Sequence, residues 1–192
     1  MSISHLTKIR WGKRIQDDSA PRADHGEVDL EAAFEQHWDS VCRTAQRLVG
    51  DRDEAQDLAL EAFWRLYTHP PKDLTRAGGW LHRVATNLGL NAIRAHRRRD
   101  KYEEEAGVLR LQRADNLHPA DAVERHETQE RVREVLALMK PRKAELLILR
   151  HTGHSYAEIA DLMGMAPGSV GTLLARAEKD FERRYRARED VR

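Results

Sequence analysis

Two sets of polar residues carry the chemistry open to this chain. Ser169, Thr172, Arg176 and Lys179 recur at three- and four-residue spacing, so a helix would place them on one face. All four side chains donate hydrogen bonds, and such donors reach phosphate oxygens or base edges. Arg83, Asn87 and Asn91 stand at i, i+4 and i+8 and form a second helical track. An Asn amide both donates and accepts, which suits a base edge, although a solvated amide leaves the same signature. Directly downstream lies a basic run: Arg94, His96, Arg97, Arg98, Arg99 and Lys101. Such a run is either a solvated helix end, favourable against the helix dipole, or a patch that grips phosphates. Covalent chemistry has no comparable constellation. His151 and His154 straddle a turn, and HExxH, paired cysteines and Gly-rich phosphate loops are missing from the sequence. The expectation is therefore a binding protein, with no catalytic residue, no metal and no cofactor.

The elements that must position these residues read as helices throughout. Ser155 with Glu158 is a capping box that opens a short helix, whose apolar Ile159, Leu162 and Met163 lie on one face. Gly164 ends it, and Pro167 suits the first turn of the next, along which Val170, Leu173 or Leu174, Ala177 and Phe181 continue a core-facing stripe. Two helices around so tight a turn make a helix-turn-helix. The same pattern also fits an ordinary αα-hairpin. The outward donors favour nucleic acid, with Arg183 and Arg184 adding to them, and Gly168 and Gly171 would let the backbone approach closely. Upstream, Phe34, Trp38, Val41, Ala45 and Leu48 step by three and four until Gly50. Asp51 with Glu54 then opens a helix through Ala55, Leu58, Ala62, Phe63 and Leu66, ending before His69-Pro70-Pro71. Trp80, Leu81, Val84, Leu88 and Ile93 trace a third helix. Asp121 with Glu124 reads as a further capping box, and Pro141 starts a helix containing Leu146, Leu147 and Leu149.

Composition bounds the rest. The chain has 192 residues, 40% hydrophobic and 34% charged, which permits one or two small domains. Lys+Arg 33 against Asp+Glu 32 leaves a net charge of +1, so distribution matters more than sum. One cysteine, Cys42, forms no internal disulfide and reads as a buried thiol. No run of eighteen apolar residues and no signal-peptide segment occur, which predicts a cytoplasmic protein without membrane insertion. The expected architecture is all-α. It comprises a flexible extension over 1–29, a helical domain over 30–101, a linker over 102–120 and a helix-turn-helix domain over 121–192.

Three stretches in this order resemble the extracytoplasmic-function class of bacterial RNA polymerase sigma factors. RLVGDRDEAQDLALEAFWRLY is similar to that family's polymerase-clamp-binding helix, and GGWLHRVATNLGLNAIRAHRRR to its promoter-melting segment. KPRKAELLILRHTGHSYAEIADLMGMAPGSVGTLLARAEKDF is similar to its carboxy-terminal helix-turn-helix. The resemblance spans about Leu30 to Tyr185 and implies core RNA polymerase, promoter DNA and an anti-sigma protein as partners. It implies polymerase binding through Asp53, Glu54, Asp57, Leu58 and Glu61. It further implies that Arg83, Asn87, Asn91, Arg94 and Arg97 to Arg99 meet melted or flanking promoter DNA, and that Ser169, Thr172, Arg176 and Lys179 meet the upstream duplex. Opened bases lose their stacking and need a positive groove and planar partners, at about 1–3 kcal/mol per stacked base.

The sequence departs from the family pattern at Leu60, where a Gln is frequent, and at Gly171 and Leu173, where Lys and Arg are frequent. That lowers the phosphate affinity expected of the second domain and shifts weight onto Arg176. Two other functions fit parts of the pattern: a stand-alone helix-turn-helix repressor with a palindromic operator, and an adaptor that binds a protein through its amphipathic helices. The acidic face at Asp53, Glu54, Asp57 and Glu61 discriminates, because docking on a basic helix needs it and a dimer seam does not.

Overall fold

The computed structural model describes residues 29–105 and 120–189, and all regular structure among them is helical. The extension expected over residues 1–29 and the linker over 102–120 lie largely outside the described residues. Seven α-helices follow one another: α1 Leu30–Val49, α2 Arg52–Thr68, α3 Ala77–Glu105, α4 Ala120–Leu138, α5 Pro141–His151, α6 Tyr156–Met163 and α7 Pro167–Glu189. A single 3-10 turn, Leu74–Arg76, leads into α3.

Local chemistry sets the ends. Asp29 accepts from the Ala32 amide at 3.0 Å and caps α1, while Gly50 closes that helix at φ 84°. Asp51 accepts from the Glu54 amide at 2.8 Å and caps α2. The reciprocal half of the expected capping box is absent, because Glu54 turns instead to His96 Nε2 at 2.9 Å. α6 carries a complete box: Ser155 accepts from the Glu158 amide at 3.3 Å, and Glu158 accepts from the Ser155 amide at 2.7 Å. The Ser155 side chain first, then the Ser155 amide, bonds to the Glu158 carboxyl and holds it below its ordinary range. Gly164 then adopts φ 62°, a left-handed stop that costs glycine nothing. α4 begins at Ala120, so Asp121 falls inside its first turn rather than at its cap.

Helix α3 organises the packing. Its 29 residues give a rod of about 44 Å, and it touches α1, α2, α4, α5 and α6. One face carries Leu81 and Ala85 into a cluster with Val41, Ala59, Phe63 and Leu66, roofed by Phe34 and Trp38, whose rings stack at 4.5 Å. Another carries Leu90 and Ile93, with Leu48 of α1, into a second cluster with Val135, Met139, Leu149, Ile159, Val170 and Leu174. The amino-terminal helices and the helix-turn-helix thus share apolar core along α3.

At Gly89 the α1 and α3 backbones come close. A Cβ there would lie 2.6 Å from Leu48 Cδ1 and 3.0 Å from its Cβ. Gly89→Val should therefore destabilise the fold by about 1–3 kcal/mol, despite the better helix propensity of a residue with a side chain. A lowered urea midpoint with an unchanged slope is the expected result.

Candidate nucleic-acid interface and its acidic counterpart

The outward face of α7 presents Ser169, Thr172, Arg176 and Lys179, all exposed. Opposite them Val170, Leu174 and Ala177 are buried against α5 and α6. Leu173 packs partly into the core, and a Cβ at Gly171 would rest 3.4 Å from the Tyr156 ring. These two positions are half-buried, so their lost charges remove less from the exposed face than the sequence alone implies. Arg183 and Arg184 have another task. They donate to Asp180 Oδ1 at 2.7 and 3.0 Å, and Lys143 of α5 donates to Oδ2 at 3.1 Å. The Arg183 bond first, then those of Lys143 and Arg184, hold the Asp180 carboxyl far below its usual range against the opposing effect of burial. This clamp fixes the recognition helix to α5.

The track on α3 has different surroundings. Arg83 Nε donates to Glu145 Oε1 at 2.8 Å, and Asn87 Nδ2 donates to the same oxygen at 3.2 Å. Glu145 belongs to α5 and is only 6% exposed. Asn91 is exposed, whereas Arg94 is half-buried and its Nη2 has no hydrogen-bond partner among the described residues. Burial, with Arg98 nearby, lowers the Arg94 pKa. Arg97, Arg98 and Arg99 project into solvent.

On α2, Asp53 and Asp57 are exposed, while Glu54, Leu58 and Glu61 are half-buried. Glu54 meets His96, and Glu61 accepts from Arg65 Nε at 3.0 Å. Cys42 proves half-buried rather than enclosed, and burial, with Asp39 beside it, pushes its thiol up to about 11.

Sequence reasoning missed three groups, two of which join the two halves. Glu145 was detectable: it stands on the same helical stripe as Ile148 and Leu149, and a carboxylate inside an apolar stripe demands partners. Asp180 follows the same logic beside Ala177 and Phe181. His82 and His154 form the third group, with rings edge-on at 5.3 Å across the junction of α3 and the helix-turn-helix. Their tautomers follow from their partners. Leu149 carbonyl oxygen, 3.1 Å from His154 Nδ1, accepts only, so that nitrogen carries hydrogen. Thr44 donates to the Ser40 carbonyl at 3.0 Å, which leaves its oxygen to accept from His82 Nδ1 at 3.0 Å. Burial first, then the electrostatic influence of His154, His37 and Arg43, holds His82 down at about 4.

Comparison with known proteins follows this division. Residues 33–99 match the family described as Sigma-70 region 2, and residues 129–181 match Sigma-70, region 4. The ECF RNA polymerase sigma factor SigW of Bacillus subtilis is 28% identical over 158 residues, covering 77% of this chain and 84% of that protein. The RNA polymerase sigma-E factor of Streptomyces coelicolor is 31% identical over 156 residues, covering 79% of this chain and 84% of that protein. The ECF RNA polymerase sigma factor SigE of Mycolicibacterium smegmatis is 30% identical, covering 76% of this chain and 57% of that protein.

The His82 geometry gives a pH dependence of defined sign. Its folded pKa lies below the ordinary 6.5, so the unfolded chain binds more protons between about 6.5 and 4. Stability is full above that window and falls as pH drops through it. His82→Gln should flatten this loss in urea titrations run from pH 7 to pH 4, and an identical slope in both proteins would assign it to other groups.

Proposed function

The chain belongs to the sigma-70 family of RNA polymerase sigma factors, in its extracytoplasmic-function class, and from that membership we propose how its surfaces divide promoter-directed initiation between them. Two working units, residues 30–101 and 121–192, act as one binding protein with no covalent step. The first docks on core polymerase through the α2 edge at Asp53, Glu54, Asp57, Leu58 and Glu61. The same unit takes the melted strand along Arg83, Asn87, Asn91 and Arg94, with Arg97, Arg98 and Arg99 on phosphates. The second reads the upstream duplex through Ser169, Thr172, Arg176 and Lys179. The observation that carries this reading is the α7 face, where these four donors stand in solvent while Val170, Leu174 and Ala177 are buried behind them.

Roles on that face follow from chemistry. Ser169 and Thr172 stand near the helix start, where base edges are met, but their hydroxyls bond either kind of base pair and discriminate weakly. Arg176 lies more than two turns from Pro167, which favours phosphate for it. Among the described residues no helix is long and apolar enough to cross a membrane. A cytoplasmic location suits the proposed partners, and an inhibitory anti-sigma protein joins them, as family membership supports.

The reading is tested by capturing core polymerase with the chain and transcribing a promoter pool with the resulting holoenzyme; neither capture nor selective initiation would overturn it. Asp57→Arg reverses a charge on the docking edge and should raise the dissociation constant for core polymerase about tenfold or more, mainly through the off-rate, with the helical content unchanged. Replacing Arg97, Arg98 and Arg99 together with Ala should lower the salt slope of promoter binding by roughly 2 to 3 without altering which promoter is preferred. Equilibrium binding at several salt concentrations reads this directly, and a changed preference at constant slope would reassign these residues to bases.

A further inference from the structure

Helix α3 continues past its basic run, and so does the face that carries the polar track. Arg83, Asn87, Asn91, Arg94, Arg98 and Tyr102 follow one another at steps of three or four residues, which keeps all of them within about 100° of rotation around the helix. One stripe therefore holds them. Its last member is an aromatic ring about 12 Å beyond Arg94, at about 1.5 Å per residue. Tyr102 is 70% exposed, against 50% for Tyr67 and 47% for Tyr156. Those two tyrosines have partners: the Tyr67 ring lies 5.8 Å from that of Trp64, and the Arg150 guanidinium lies 5.4 Å over the ring of Tyr156. Among the described residues the Tyr102 ring has neither an aromatic nor a cationic partner. Packing does not account for it. Arg98 and Arg99, one turn before it, and Lys101 beside it are exposed as well, while the neighbouring carboxylates Asp100 and Glu103 fall outside the stripe.

We propose that Tyr102 is a stacking site for an unpaired base, placed where the α3 track ends. The proposal rests on the reading of that track as the path of the melted strand. Charge and ring divide the work. The arginines attract a phosphate backbone whatever its sequence, whereas a flat ring offers its face to any base, and neither group replaces the other. A base inside a duplex has both faces covered by its neighbours and gains nothing from the ring. Tyr102 thus discriminates open from paired DNA rather than one base from another. Its exposure serves this role, because a ring that is wet in the free protein removes its apolar surface from water only when a base arrives on it.

The experiment uses holoenzyme assembled from core polymerase and the full chain, with a promoter recovered from the transcribed pool. That promoter is prepared in two forms, one fully paired and held cold enough to stay closed, the other pre-melted with 2-aminopurine at each unpaired position in turn. Tyr102→Ala should weaken binding to the pre-melted form roughly 5- to 150-fold, with the salt slope and the binding of the paired form unchanged. It should also brighten 2-aminopurine at one position, where the ring had quenched it by stacking. Tyr102→Phe keeps the ring and should match wild type in every readout. Both variants should retain wild-type helical content, since the side chain is exposed. Wild-type binding by Tyr102→Ala, or an equal loss on both forms, would overturn the proposal. A Tyr102→Phe variant as weak as Tyr102→Ala would overturn it too, by assigning the hydroxyl to a phosphate. Arg98→Ala in the same titrations separates this proposal from the reading beneath it. If Arg98→Ala lowers the salt slope by about 1 while Tyr102→Ala is silent, the track stands and only the stacking has failed. If neither variant moves slope or affinity, the track has failed with it.

Discussion

The fold depends on one helix that is apolar on more than one side. α3 carries Leu81 and Ala85 on one face and Leu90 and Ile93 on another, and all four are buried. A helix of this kind cannot lie on the surface of a single small bundle, because burying one stripe leaves the other in water. Helices α1 and α2 cover the first stripe. The second needs α4, α5 and the helix-turn-helix, and this requirement draws the two halves of the chain onto one rod.

Polar groups then decide how the halves register. Apolar burial is non-directional and would tolerate many rotations of α5 along α3. The hydrogen bonds from Arg83 and Asn87 to one oxygen of Glu145 select one of them, and the His82 and His154 rings meet edge-on across the same junction. Within the helix-turn-helix unit, Asp180 performs the same service by collecting Lys143, Arg183 and Arg184. Removing one member from such a set leaves a buried charge without its partner, which costs more than the intact set contributes.

Much of this was legible in the sequence, and what was not has a common cause. The helices were marked by apolar spacing and by caps, as at Ser155 with Glu158 and at Gly50, all of which are properties of neighbouring residues. The burial of Leu90, Thr86 and Glu145 depends on which helix arrives from elsewhere in the chain, and periodicity names a buried face without naming its cover. The half-made cap at Asp51 shows the same limit, since Glu54 gave up its local partner for His96, a residue on the next α-helix and 42 positions along the chain. Arg183 and Arg184 illustrate it again: outward-pointing arginines and arginines that hold a buried Asp180 have one sequence signature and two different functions. Of the candidate sites, the α7 face was legible in position because one helix defines it, whereas the cover over Arg83 and Asn87 was not.

That a carboxylate rather than an apolar residue occupies position 145 has a physical consequence for how the two halves meet. A buried ion pair gains little net stability over a well-packed apolar pair, since desolvation offsets most of its Coulombic attraction. An apolar side chain there would hold α5 on α3 at least as firmly, and would leave Arg83 unpaired beneath it. The carboxylate instead satisfies Arg83 and Asn87 together through one oxygen. The contact therefore adds little to the attraction between the helices yet fixes their register, because one placement of α5 brings Glu145 Oε1 to both donors.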